Sequence, residues 1–234
     1  MQHYFCKVID NIVYLEKDDV FHFTHVMRAK LGDELIAISD GKEFLAKVTC
    51  FSPLRIEVVS KLDSNSELPI PLTLFFALAK GDKIDLVIQK ASELGVSKIV
   101  LVKSKRDVVK LTQEDFEKKL IRYKSIAKEA SEQSRRQVIP EIVGLVDINA
   151  IPTTLLSEKN FVGYEKEAGN AVKFDIKEAK SVSILIGSEG GISEEEIVSL
   201  TKQGFVPVSL GKRILRTETA AIYSLSVLGY LLEK

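Results

Sequence analysis

The sequence predicts an α/β protein in two parts: a short β-rich segment, then a larger domain with a mostly parallel sheet. Three observations carry this. Before residue 63 the apolar residues fall in short runs punctuated by turn residues. At Asp63-Ser64-Asn65-Ser66-Glu67-Leu68-Pro69-Ile70-Pro71 polar residues give way to two prolines, the composition of a linker. Beyond it, apolar runs of strand length alternate with segments of helical period, as in a parallel sheet covered by helices.

In the first part, residues 11–16, 34–39, 43–51 and 54–59 are expected strands, and 20–29 a helix. Asp40-Gly41 separates two strands and suits a type I′ hairpin, whose central residues need positive φ. So many short strands in one small segment read as a barrel or sandwich. After the linker, 72–78 is continuously apolar, as in a strand buried on both faces. Ile84, Val87, Ile88, Ala91 and Leu94 follow at helical spacing and stop at Gly95, with Asp82 expected as the N-cap. A strand at 98–102 and a long helix at 113–137 come next, the latter with Phe116, Leu120, Tyr123, Ala127 and Ala130 on one side. Residues 161–164 and 182–186 read as strands. Ser193 and Glu196 form a capping box for a helix ending near Gly204, and a strand at 205–210 and an apolar helix at 217–232 close the chain.

The 234 residues are enough for a real core, and the hydrophobic (45%) and charged (28%) fractions are those of an ordinary soluble protein. No signal-peptide pattern opens the chain, and the apolar run 220–232 is shorter than the roughly 20 residues a bilayer requires. No membrane role is expected. Two distant cysteines, Cys6 and Cys50, fit a reduced, cytoplasmic protein. His3, His22 and His25 show no spacing that predicts a metal site. Net charge is zero, yet Lys103, Lys105, Arg106 and Lys110 cluster, as do Lys118, Lys119, Arg122, Lys124 and Lys128, Arg135 with Arg136, and Lys212, Arg213 and Arg216. Such groups suit phosphate contacts or solvated helix faces.

Two loops stand out. Gly187-Ser188-Glu189-Gly190-Gly191 leaves a strand and enters a capped helix, where α/β proteins bind ligands. It is neither a dinucleotide fingerprint nor a Walker A loop, and Glu194, Glu195 and Glu196 beyond it oppose a bound phosphate. The second loop, 212–219, sets cations, two threonines and Glu218 between two apolar segments, with Ile214 and Leu215 offering surface for an aromatic ring. Arg216 and Glu218 suit chemistry or pairing with each other. Glu129, Glu132 and Arg136 share a helix face, where a Glu132–Arg136 ion pair is the simpler reading. His22, His25 and Arg28 form a polar surface that either touches RNA or has no special task.

Several motifs together resemble the RsmE-type ribosomal RNA methyltransferases of the SPOUT superfamily. They are Ile186-Gly187-Ser188-Glu189-Gly190-Gly191, the run 210–220, Ala79-Lys80-Gly81-Asp82-Lys83, the run 89–96, Glu129-Ala130-Ser131-Glu132-Gln133-Ser134-Arg135-Arg136, and His25-Val26-Met27-Arg28 with Gly32-Asp33. They occur in order along nearly the whole chain. Ser188 and Met27 depart from the usual proline and leucine.

The resemblance implies an N-terminal PUA-like β-barrel (1–68) and a SPOUT α/β domain (72–234) with a C-terminal trefoil knot. It further implies a homodimer, S-adenosylmethionine as cofactor, and methylation at N3 of a uridine near the decoding site of 16S ribosomal RNA, in the small subunit. Ile186, Gly187, Glu189, Gly191, Leu210, Gly211, Ile214, Leu215, Thr217 and Ala220 are then the cofactor candidates. Arg216 or Arg136 is expected to stabilise charge on the base, and Glu132 or Glu218 to accept its proton. Arg28, Lys30, Lys105, Arg106 and Arg135 are the RNA-binding candidates.

Overall fold

In a computed structural model, residues 1–107, 109–167 and 174–234 are described. The chain divides into two units: Met1–Glu67 with Lys128–Val138, and Leu68–Ala127 with Ile139–Lys234. The end of the long helix thus groups with the first unit, and not with the rest of the expected 72–234 domain.

The first unit is a six-stranded sheet of β1 (His3–Phe5), β2 (Lys7–Ile9), β3 (Ile12–Tyr14), β4 (Glu34–Ser39), β5 (Lys42–Phe51) and β6 (Leu54–Lys61), in the order β1-β4-β5-β6-β3-β2. Only β1–β4 is parallel. The strands at the two ends of that order, β1 and β2, are separated in sequence by Cys6 alone, so the sheet must curl round on itself. Tyr4, Phe23, Leu35, Ala37, Ala46, Val48 and Ile56 fill its interior. Asp40 (φ 50°) and Gly41 (φ 70°) make the expected hairpin turn between β4 and β5. Beyond β3, the helix expected at 20–29 is instead α1 (Lys17–Phe21), followed directly by a short π-helix over His22–Val26. Arg28 at φ 54° ends that segment.

The second unit has a wholly parallel sheet of β7 (Leu72–Ala77), β8 (Lys98–Lys103), β9 (Glu141–Asp147), β10 (Lys159–Gly163), β11 (Val182–Ile186) and β12 (Phe205–Val208). Their order is β12-β10-β11-β7-β8-β9. Leu72, Leu74 and Phe76 of β7 enter one core with residues of α2 (Lys83–Glu93), α3 (Gln113–Gln133) and α5 (Thr217–Leu232). Phe75 and Ala77 enter a second core with Val100, Leu185, Leu200 and Phe205. Alternate side chains therefore meet apolar layers on both faces, which accounts for the unbroken apolar run. The capping box is present at α4 (Glu194–Lys202): Ser193 Oγ accepts from the Glu196 N–H, and Glu196 Oε2 accepts from the Ser193 N–H. Asp82 occupies the N-cap position of α2, but its side chain makes no capping bond. The helix α3 stops at Gln133, short of 137, because Arg135 turns into the left-handed region (φ 59°) and the Arg136 N–H closes onto the Ser131 carbonyl.

Candidate functional site

The parallel sheet delivers the loops after β10, β11 and β12 to its C-terminal edge. There Gly163, Tyr164, Glu165, residues 186–189, Gly191, Ile192, Leu210, Gly211, residues 213–217 and Ala220 line a cavity of about 330 Å³. Every cofactor candidate named from the sequence lies on this wall, and so does Arg216. The segment 163–165 was not foreseen. A Cβ on Gly163 would stand 3.1 Å from both Ile186 Cδ1 and Leu210 Cδ1, and one on Gly187 would stand 2.8 Å from Ile192 Cγ1. Both glycines therefore keep the backbone close to the cavity. Thr217 Oγ1 donates to the Gly187 carbonyl over 2.6 Å, tying the start of α5 to the first glycine loop.

The cavity suits S-adenosylmethionine by its donor set. Ile186, Leu210, Leu215 and Ala220 offer an apolar bed for an adenine ring. Glu165 and Glu189 set carboxylates beside a ligand that carries a sulfonium and an ammonium, and Arg213 supplies a cation for its carboxylate.

A second loop braces the first from behind. The Ser104 hydroxyl and the Lys105 N–H donate to Glu196 Oε1 (3.0 and 2.7 Å), and Lys105 Nζ reaches Glu195 at 2.8 Å. Arg106 Nη1 donates to the Gly190 carbonyl at 3.2 Å. Ser188 is buried, and its hydroxyl donates to the Arg106 carbonyl at 3.4 Å, so serine in place of proline adds a tether at this point. Burial pushes the nearby Asp107 carboxyl up to about 6, against the hydrogen bond from the Ser104 N–H. Lys105 and Arg106, named above as RNA candidates, are thus engaged with the glycine loop and α4. A Cβ on Gly190 would stand 2.7 Å from the Arg106 carbonyl oxygen, a backbone atom. Gly190→Ala is therefore expected to displace this loop and weaken S-adenosylmethionine binding about tenfold or more, measured by calorimetry.

Glu132, Arg136, Arg28, Lys30 and Arg135 belong to the first unit. The Glu132–Arg136 ion pair does not form. Arg136 is 2% exposed and gives Nε and Nη2 to Glu67, whose Oε1 also accepts the N–H groups of Gln137 and Val138. Glu132 instead accepts from the Phe5 N–H at 3.1 Å, with Lys128 4.0 Å away. Arg28, Lys30 and Arg135 are exposed. Near the first two in sequence, Phe21 (stacked on His25), Val26, Met27 and Leu31 are exposed as well, so cations and apolar groups share this surface.

Burial pushes the Glu132 carboxyl up to about 7, above its ordinary 4.5, although the Phe5 N–H and Lys128 pull it down. Because the folded value is the higher one, the fold binds the extra proton, and stability falls as pH rises from 4.5 to 7. Glu132→Gln keeps an acceptor for Phe5. It is expected to exceed the native protein's stability by about 1–2 kcal/mol near pH 8 and to lose that advantage below about pH 5, after allowance for solvent screening. Urea melts at the two pH values check this, and an equal difference at both would contradict it.

The comparisons with known proteins agree with this geometry. An RNA methyltransferase domain model matches residues 66–229, and an RNA methyltransferase PUA domain model matches 15–58. Ribosomal RNA small subunit methyltransferase E of Bacillus subtilis is 34% identical over 100% of this chain and 98% of its own. The chain belongs to the ribosomal RNA small subunit methyltransferase E family. A methyltransferase from Legionella pneumophila, solved with bound S-adenosylmethionine, is 30% identical with a TM-score of 0.87 over 99% of this chain and 98% of its own. A small subunit methyltransferase E from Neisseria gonorrhoeae, also solved with S-adenosylmethionine, is 26% identical with a TM-score of 0.84 over 99% and 98%. The fold is accordingly that of the family: a PUA-like first unit and a SPOUT-type second unit.

Proposed function

We propose that this chain transfers a methyl group from S-adenosylmethionine to N3 of a uridine in 16S ribosomal RNA, near the decoding site and within the small subunit. It is a S-adenosylmethionine-dependent ribosomal RNA methyltransferase by family. The observation that carries the reading is the cavity between the two glycine-bearing loops, whose walls hold all the cofactor candidates. Bound there, the cofactor supplies an electrophilic methyl group on a sulfonium. The chain's own part is to hold the acceptor in line and to favour its anion, since uridine N3 carries a weakly acidic proton. Orientation alone supplies up to roughly 7–11 kcal/mol in well-aligned pairs.

Arg216 is the proposed charge stabiliser, because it lines the cavity and is exposed at the start of α5, whereas Arg136 is taken up by Glu67. Glu218, two residues on, is the proposed proton acceptor. Arg28, Lys30 and Arg135 are proposed to meet RNA phosphates.

A trefoil knot and a homodimer are proposed as well. In support of the knot, the chain leaves β12 at one edge of the sheet, and α5 then packs back against β11, β7 and α2. In support of the dimer, α5 leaves Tyr223 and Tyr230 exposed. Among the described residues no helix is long and apolar enough to cross a membrane, and a cytoplasmic site of action is proposed. The test is transfer of labelled methyl groups to small subunits lacking the modification. Label should enter the RNA, and no incorporation under conditions where the cofactor binds would move the activity to another RNA.

A further inference from the structure

The first residue of α2 is Lys83, a poor local choice. A cation at a helix N-terminus opposes the macrodipole, and Asp82 beside it makes no compensating cap. The tertiary structure supplies the reason. Lys83 Nζ donates to Glu189 Oε1 at 2.8 Å and lies 3.3 Å from Glu218 Oε2. Glu189 comes from the glycine loop after β11 and lines the cavity, and Glu218 stands in the first turn of α5, directly after Arg216 and Thr217 of the same wall. The Lys80 N–H adds a bond to Glu189 Oε1 at 3.3 Å. Sharing one ammonium brings the two carboxylates to within about 6 Å of each other, where they would repel without it. Hydrogen bonding to Glu189, with the Glu218 carboxylate close by, holds Lys83 charged above its ordinary range. Against their own burial, the bonds from Lys83 and from the Lys80 N–H hold Glu189 below its ordinary range.

We propose that Lys83 is a positioning residue for methyl transfer, a cationic clasp that binds the loop carrying Glu189 to the start of α5 and thereby sets the separation of the cavity's two walls. The proposal rests on the cofactor reading above. The clasp acts beside the neutral tie from Thr217 to Gly187, and it differs from that tie in being sensitive to charge and salt. It also gives Glu218 a fixed partner, so that the carboxylate next to Arg216 stays in place whether or not a ligand is present.

The experiment compares the full-length protein with Lys83→Gln and Lys83→Arg, each checked for native circular dichroism. Calorimetric S-adenosylmethionine affinity is measured at low and high salt, with steady-state kinetics on small subunits. Lys83→Gln is expected to raise the cofactor Kd and KM about tenfold, to leave the KM for RNA unchanged, and to reduce the salt dependence of cofactor binding. Lys83→Arg is expected to restore most of the affinity. Native-like cofactor affinity in Lys83→Gln overturns the clasp, and so does a loss of turnover or of RNA affinity at unchanged cofactor Kd. Failure of the native protein to bind S-adenosylmethionine would instead remove the cofactor reading itself.

Discussion

Replacing Arg216 by alanine is expected to lower kcat for methyl transfer by about 10²–10³, the range for removing one preorganised donor from a developing oxyanion. When N3 of a uracil loses its proton, charge spreads onto the flanking carbonyl oxygens, and a guanidinium facing them is worth most as the transition state forms. Arg216 meets the structural requirements. It lines the cavity, its backbone is extended (φ −64°, ψ 152°), and Thr217 beside it is anchored to Gly187. Because the expected loss falls on kcat and not on cofactor affinity, Arg216→Lys should recover only part of the rate, a point charge replacing a planar fork. Single-turnover kinetics at saturating cofactor separate the chemical step from binding, and unchanged kcat in Arg216→Ala would assign the charge to another group.

The second large effect concerns stability. Glu67→Ala is expected to destabilise the first unit by about 3–5 kcal/mol, the usual consequence of stripping one partner from a buried ion pair. Arg136 is almost fully buried, and Glu67 serves its Nε and Nη2 as well as the N–H groups of Gln137 and Val138. The alanine removes the acceptor of all four donors at once. Glu67→Gln retains acceptor oxygen but loses the charge, so it should fall between the native protein and the alanine variant. Denaturant melts give the ordering, and equal stability of native and Glu67→Ala proteins would contradict it.

Much of the fold could be read because its signals are local. The unbroken run in β7, the Asp40-Gly41 turn and the Ser193–Glu196 capping box each specify their geometry within a few residues. The strands β1 and β2 escaped notice because each is only three residues long, too short for any alternation to show. Strand β9 was missed for a different reason. Gly144 breaks its apolar pattern, and the structure explains the glycine, since a Cβ there would stand 2.3 Å from Phe116 Cε2. The end of α3 was misplaced because nothing in Arg135 itself announces a left-handed residue.

The candidate site divides along the same line. The two glycine loops carry their own signature and were legible. The brace from Ser104 to Asp107, the loop at Gly163 and the Lys83 clasp were not, because each depends on which strands lie side by side. Strand β8 places residues 104–107 behind the glycine loop, and β10 brings Gly163 between Ile186 and Leu210. Arg136 and Glu132 illustrate the opposite error. The helix ends at Gln133, so Arg136 lies beyond the face that carries Glu132; Glu67 and the Phe5 N–H capture the two separately, and no Glu132–Arg136 pair forms.

The most direct measurement is the identity of the methylated nucleoside. Unmodified small subunits would be treated with the protein and S-adenosylmethionine, and the RNA digested and resolved by mass spectrometry against standards. The expected result is a single new product, N3-methyluridine, at one position of 16S ribosomal RNA. A methyl group on another base, on a ribose, or on no nucleoside at all would contradict it.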